Sequence, residues 1–149
     1  AENVSAQVAS EIAQSTPLLH GAALRSWTAR VIREHTGANL AYYNAGGVRD
    51  AIRPGPVTAR TIWNVEPFGN SIVTLTLSGD QVLQMLADNN EDAGIELNAQ
   101  KQYVLATNNF VGAHVRRTFG DDVQMQDTGI LVRDLLIDTI RTSGLPGQD

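Results

Sequence analysis

Leu40-Ala41-Tyr42-Tyr43-Asn44-Ala45-Gly46-Gly47-Val48-Arg49-Asp50 decides how this chain is read. Leu40 to Tyr43 is an apolar run with the length of a short buried strand. Gly46 and Gly47 carry no Cβ, so the backbone after that strand is free to turn sharply or to come close to a ligand. Arg49, just past the turn, offers a planar fork of donors that matches phosphate or carboxylate. A strand ending in a polar, glycine-rich, arginine-bearing turn is where α/β domains place binding sites. On local chemistry alone, the same residues also read as a plain turn with a surface ion pair.

Upstream, Leu24, Trp27, Val31 and Ile32 recur at helical spacing and predict a helix from about Gly21 to His35, stopped by Gly37. Trp27 on that stripe reads as core. Val4, Val8 and Ile12 step by four and predict an earlier helix that Thr16-Pro17 ends. Downstream, Arg53-Pro54-Gly55-Pro56 reads as a turn, and Thr58 as the cap of a short helix through Trp63. Ile72 to Leu77 has the β-branched content of a strand. Ser78 caps the following helix, with Val82, Leu83 and Leu86 facing inward. Asn89 to Asn98 reads as a polar loop with a short strand around Ile95. Gln102 to Thr107 is a second buried strand, residues 109–118 a helix and Val123 to Met125 a short strand. Thr128 opens the last helix, with Ile130, Leu131, Leu135, Leu136 and Ile140 on its core side and Leu145-Pro146-Gly147 at its end. Helices interleaved with strands predict an α/β (α+β) fold, a layered domain with a mixed β-sheet flanked by helices.

The 149 residues are read as a single domain, 1–149, with 42% hydrophobic residues and a formal charge of −5. That charge argues against an electrostatic nucleic-acid binder. No apolar run approaches the roughly eighteen residues of a membrane span. Ala1-Glu2-Asn3 does not open a signal peptide. Without cysteine there is no disulfide framework, thiol nucleophile or thiolate metal site. His20, His35 and His114 form no His-x-x-x-His or Asp-x-His pair, and there is neither a Gly-x-Ser-x-Gly elbow nor a phosphate loop of the Gly-Lys-Ser/Thr type.

Beyond Arg49 stand Pro67-Phe68-Gly69-Asn70, Tyr103-Val104-Leu105-Ala106-Thr107-Asn108-Asn109-Phe110, and Asp127-Thr128-Gly129-Ile130-Leu131-Val132-Arg133-Asp134. With the Asn-x-Gly-Gly-x-Arg block, in this order and at these gaps, the chain resembles the C-terminal domain of the 5′-nucleotidase and UDP-sugar hydrolase family, from about Leu24 to about Ile140. The resemblance implies substrate recognition. Phe68 and Phe110 fall on the two rings that sandwich a nucleobase, Arg49 on an arginine that meets the phosphate, and Asn44 on the asparagine opening that turn. Gly46, Gly47 and Asn70 complete the implied substrate-binding set. Phe68 and Phe110 also fit ordinary core positions.

The resemblance further implies a partner, an N-terminal metallophosphoesterase domain that carries two divalent metals and the catalytic His–Asp pair. No cofactor is expected in this chain, and on its own the chain is expected to be inactive. A periplasmic or extracellular location is implied in the same way. Two departures stand out. Counting from Phe110, the family's ribose-binding Asp falls on Arg116, in a stretch that also holds His114 and Arg117. The region Gln14 to Leu18 lacks two further phosphate-binding arginines that some relatives carry. Two functions therefore stand side by side: a nucleotide-recognition domain of a two-metal phosphoesterase, and a stand-alone binding or interaction module with a degenerate nucleotide site.

Overall fold

The computed structural model describes residues 10–15 and 17–147. Its main sheet is mixed and orders four strands β2-β5-β4-β6. Strand β4 (Ser71–Ser78) runs antiparallel to β5 (Gln102–Asn108) on one side and to β6 (Gln124–Leu131) on the other. Strand β2 (Leu40–Ala41) lies outside β5 and parallel to it. Alternation along β4 sends Leu75 and Leu77 to one face and Ile72 to the opposite face, all fully buried.

Helices cover both faces. Against Leu75, Leu77 and Leu105 pack α3 (Gly79–Asp88) and α4 (Asn109–Phe119). Against Ile72 and Ala106 pack α1 (Gly21–Thr36), α2 (Ala59–Val65) and α5 (Val132–Ser143). The approach of α4 to β4 requires Gly112, where a Cβ would meet Met125 Sδ at 2.8 Å and Val73 Cγ2 at 2.9 Å. Local signals set the helix ends. Thr58 and Ser78 form reciprocal capping boxes with Thr61 and Gln81. Gly37 stops α1 in the left-handed region, at φ 71°, with its N–H on Arg33 O. No helix among the described residues is long and apolar enough to cross a membrane.

The layered α/β architecture is as expected, and so are the helix at Gly21, the buried Trp27 and the strands at Ile72 and Gln102. Other expectations are corrected. Ile12 lies in a strand, β1 (Glu11–Ser15), while Val4 and Val8 lie outside the described residues. Gly55 and Pro56 do not finish a turn. They open β3 (Gly55–Thr58), which pairs with β1 in a two-stranded antiparallel ribbon. A short ribbon tolerates a proline because few of its N–H groups have a partner to lose. Leu83 points outward at 44% exposure, and Met85 takes the inward place, because Val82, Met85 and Leu86 follow the i, i+3, i+4 stripe. No strand forms at Ile95, which is exposed.

The largest correction is at β6. It swallows the short strand expected at Val123 to Met125 and runs on through Thr128 to Leu131, so the last helix begins at Val132. Thr128 caps nothing. Its hydroxyl donates to Ile72 O at 2.8 Å and accepts from Ile130 N at 3.1 Å, inside an irregular stretch of the β4–β6 pairing. Ile130 is exposed and Leu131 and Leu135 half-buried, while Leu136, Ile137 and Ile140 are buried. The helix ends at Ser143, before Gly144.

Candidate functional site

Strand direction gathers several segments at one end of the main sheet. Because β2 and β5 are parallel and β4 runs against β5, the residues after β2, before β4 and after β5 share that end. There lie Asn44, Gly46, Gly47, Arg49, Phe68, Asn70 and Phe110.

The segment after β2 makes one 3-10 turn, Ala45–Gly47. Neither Gly46 nor Gly47 has a positive φ, so the turn does not need glycine for its backbone angles. Gly47 is needed for space: a Cβ there would sit 2.7 Å from both Asn44 Oδ1 and Tyr43 Cε2. The close approach is therefore to the chain's own Tyr43 and Asn44. Beyond the turn, the Arg49 N–H donates to Val65 O at 2.9 Å, which fixes the start of its side chain against the end of α2. The exposed guanidinium stacks over the Phe68 ring, Cζ 5.9 Å from the centroid, and forms no ion pair among the described residues.

The segment before β4 is organised by Glu66, which is 1% exposed. Its Oε1 accepts from Phe68 N at 2.8 Å. Its Oε2 accepts from Asn70 N at 3.2 Å and from the Tyr43 hydroxyl at 3.1 Å. Asn70 is itself buried, and its carbonyl accepts Val132 N at 2.9 Å, which seats the start of α5. Phe68 points away from these bonds and is 53% exposed.

The segment after β5 begins at Asn108, which is fully buried. Its Oδ1 caps α4 by accepting Val111 N at 2.8 Å, and its Nδ2 donates to Asn44 Oδ1 at 2.9 Å. The next residue, Asn109, accepts Ser71 N at 2.8 Å and ties this segment to the Phe68 turn. Phe110, in the first turn of α4, is 60% exposed. A core phenylalanine would be covered, so two exposed rings on tied neighbouring segments are unlike core.

The other singled-out residues go elsewhere. Arg116 lies on α4 about 9 Å further along the axis than Phe110, at about 1.5 Å per residue. Its Nη2 donates to Asp121 O at 2.6 Å and closes the turn into β6. His114 and Arg117 are exposed on the same helix. Among the described residues, no group of three or more His, Cys, Asp or Glu could hold a metal ion.

Three residues outside the sequence-derived set prove central. Glu66 and Asn108 hold the segments together, and each had a local signal: a carboxylate directly before Pro-Phe-Gly-Asn, and an asparagine at the N-cap position of an expected helix. Arg133 stands in the Asp127 to Asp134 block quoted above, with nothing local to show what it packs on. It stacks on Trp63 at 4.6 Å and comes within 4 Å of where a Cβ on Gly69 would sit. A hollow of about 370 Å³ beside Arg49, floored by Gly21, Ala22 and Val48, opens next to this end of the sheet. A larger one, about 550 Å³, lies along β2 between Arg30, Arg33 and Ile95, and none of the seven candidate residues lines it. The larger hollow therefore lies apart from the exposed rings and from the polar side chains tied beside them.

Burial pushes the Tyr43 phenol far above its ordinary 10.0, and the adjacent Glu66 carboxylate adds to the rise. A raised folded-state value means that the stability contributed is fully present below pH 10 and is lost as pH climbs beyond it. Tyr43 should therefore ionise only together with unfolding, seen as a cooperative rise of tyrosinate absorbance in an alkaline titration. Tyr43→Phe should cost about 1.5 kcal/mol at neutral pH, the low end for a hydrogen bond to a charged group, and should flatten the alkaline decline. Early, non-cooperative titration of all three tyrosines would contradict this.

A family model described as the C-terminal domain of 5′-nucleotidase matches residues 4–95. The 5′-nucleotidase of Vibrio parahaemolyticus is 42% identical over 53 residues, 36% of this chain and 10% of that protein. The trifunctional nucleotide phosphoesterase protein YfkN of Bacillus subtilis is 31% identical in an alignment that covers 54% of this chain and 8% of that protein. The chain thus matches a tenth or less of the length of these curated relatives. Among solved structures, a 5′-nucleotidase precursor from Thermus thermophilus superposes with TM-score 0.79 at 20% identity, covering 94% of this chain and 38% of that one. The NAD nucleotidase of Haemophilus influenzae gives 0.75 at 17% identity, covering 94% and 36%. At such identities, these two likenesses speak for the fold.

Proposed function

Since the chain belongs to the 5′-nucleotidase C-terminal domain family, we propose that it is a single recognition domain that positions a nucleotide for a two-metal, 5′-nucleotidase-like hydrolase. The base stacks between Phe68 and Phe110. Arg49 and the Nδ2 donors of Asn44 meet the phosphate, with Gly46, Gly47 and Asn70 shaping the turns that carry them. A separate N-terminal metallophosphoesterase domain supplies two divalent metals and activates the water, and the work of this chain is orientation. A periplasmic or extracellular site of action follows from the same reading.

The observation that supports this best is the pair of exposed rings at one sheet end, with the Arg49 guanidinium, which has no ion pair among the described residues, beside one of them. The ligand-facing groups there are donors and aromatic faces, which suit a flat base joined to an anion. Calorimetric titration of the 149-residue chain with AMP should give saturable one-site binding. The same sample should release no phosphate with Mn²⁺, Zn²⁺ or Mg²⁺ added, because activating water at neutral pH needs a held metal or a tuned base. Metal-dependent turnover would place catalysis in this chain. A complete lack of AMP binding would favour the stand-alone module with a degenerate site.

A further inference from the structure

Glu66 is the only buried carboxylate among the described residues, and neither ion pair found there includes it. A buried charge without a countercharge is costly unless hydrogen bonds satisfy it, and an apolar residue of similar size is often as stable or more so. Here the satisfaction is specific. Three donors converge on the two oxygens: Phe68 N, Asn70 N and the Tyr43 hydroxyl. The first two bracket Gly69, whose φ of 67° makes the turn. The third comes from the residue before Asn44. One carboxylate therefore links the Phe68 turn to the Asn44–Arg49 segment.

The Phe68 ring is more than half exposed and meets Arg49 on one face, so the direction of its Cα–Cβ bond, set by its backbone, largely decides where the ring can reach. That backbone is fixed at its own N–H and two residues on by Glu66. Pro67 restricts φ between the carboxylate and the ring. We propose that Glu66 is a positioning residue. Its carboxylate aims the Phe68 ring at the ligand and holds that ring in register with Asn44 and Arg49. The ligand half of this proposal rests on the nucleotide reading above; the hold on the turn does not.

The test combines ligand-free amide exchange, followed by NMR, with AMP titration. In the wild-type chain the Phe68 and Asn70 amides, although on an exposed turn, should exchange about a hundredfold or more slower than in an unfolded peptide, as bonded amides do. In Glu66→Gln, which keeps the shape but replaces one acceptor oxygen by a donor, those two amides should speed up about tenfold while those of Leu75 and Leu105 stay slow. AMP affinity should fall about tenfold in Glu66→Gln, the scale of one lost stack. In a Phe68→Ala background, the same change should cost less than about twofold, because Glu66 acts through the ring.

A general structural role predicts otherwise: an equal loss in both backgrounds, with Leu75 and Leu105 exchanging faster as well. That pattern, or unchanged affinity, would overturn the proposal. If Glu66→Gln does not fold, the wild-type exchange decides, and unprotected Phe68 and Asn70 amides would overturn it. A wild-type chain that binds no AMP would sink the nucleotide reading, and exchange measured without ligand tells that failure apart from a failure of Glu66.

Discussion

Phe68→Ala and Phe110→Ala are each expected to weaken AMP binding about tenfold or more, at about 1–3 kcal/mol per base–aromatic stack. The double variant should bind too weakly to titrate. Stability should hardly move, within about 0.5 kcal/mol for either single change, because each ring is more than half exposed in the free protein. A core phenylalanine behaves in the opposite way: truncation leaves a cavity and costs about 3–5 kcal/mol. Titration and thermal melting on the same two variants therefore separate a clamp from a core. A melt lowered by ten degrees or so with unchanged AMP affinity would return both rings to the core, since about 1 kcal/mol moves a domain of this size by about 2–4 °C. Neutral results in both measurements would leave the exposed rings without a part in nucleotide recognition.

The contrast between β4 and β6 shows what was legible. Val73-Thr74-Leu75-Thr76-Leu77 sits in the middle of the sheet with Val73, Leu75 and Leu77 fully buried and the two threonines half-buried, and its alternation follows from that one covered face. Gln124 to Leu131 forms the sheet's outer edge and is mostly exposed, so burial imposes no pattern on it. Thr128 then carries the same hydroxyl that a helix cap would, and Ile130 the same side chain that a helix core would. Only the pairing with β4, distant in sequence, distinguishes them. Ile12 and Gly55-Pro56 fail for the same reason, since each is a strand only by virtue of the other.

The site divides along a similar line. The exposed residues there, Arg49, Phe68 and Phe110, stand in the motif blocks that carry the family resemblance, and the resemblance singles them out. Residues that hold those three in place are buried polar groups satisfied across the fold. Glu66 draws a donor from Tyr43, and Asn108 gives one to Asn44, each over a long stretch of chain. A one-dimensional pattern shows a carboxylate or an amide at such a position but not its partner. Where Arg116 goes was equally hidden: α4 runs unbroken from Asn109 to Phe119, and the guanidinium of Arg116 bonds Asp121 O at its far end.

Asn108 should be the most damaging single position at this end of the sheet, and two substitutions there should fail in different ways. Because Asn108 Oδ1 is committed to Val111 N, its Nδ2 faces Asn44. Asn44 must then offer Oδ1 inward and leave Nδ2 free toward Gly46 and the ligand side. In Asn108→Ala the α4 cap is lost, at about 1 kcal/mol, and the inward Asn44 oxygen loses its donor, at about 1–3 kcal/mol. The chain should be destabilised by about 2–4 kcal/mol, and AMP binding should weaken with it. In Asn108→Asp the cap survives and is favoured by the helix dipole. The new carboxylate has no donor for Asn44, so the Asn44 amide turns over and gives its own Nδ2 inward. Stability should fall at least as far as in Asn108→Ala, because a carboxylate at this fully buried position loses its solvation without gaining a countercharge. Asn44 now presents its oxygen to the phosphate, and a lost charge-assisted bond of about 1.5–3 kcal/mol should lower AMP affinity tenfold or more. Adenosine affinity, which has no phosphate to repel, should change far less. Equal losses for AMP and adenosine in Asn108→Asp would show that Asn44 does not meet the phosphate and that Asn108 serves the fold alone.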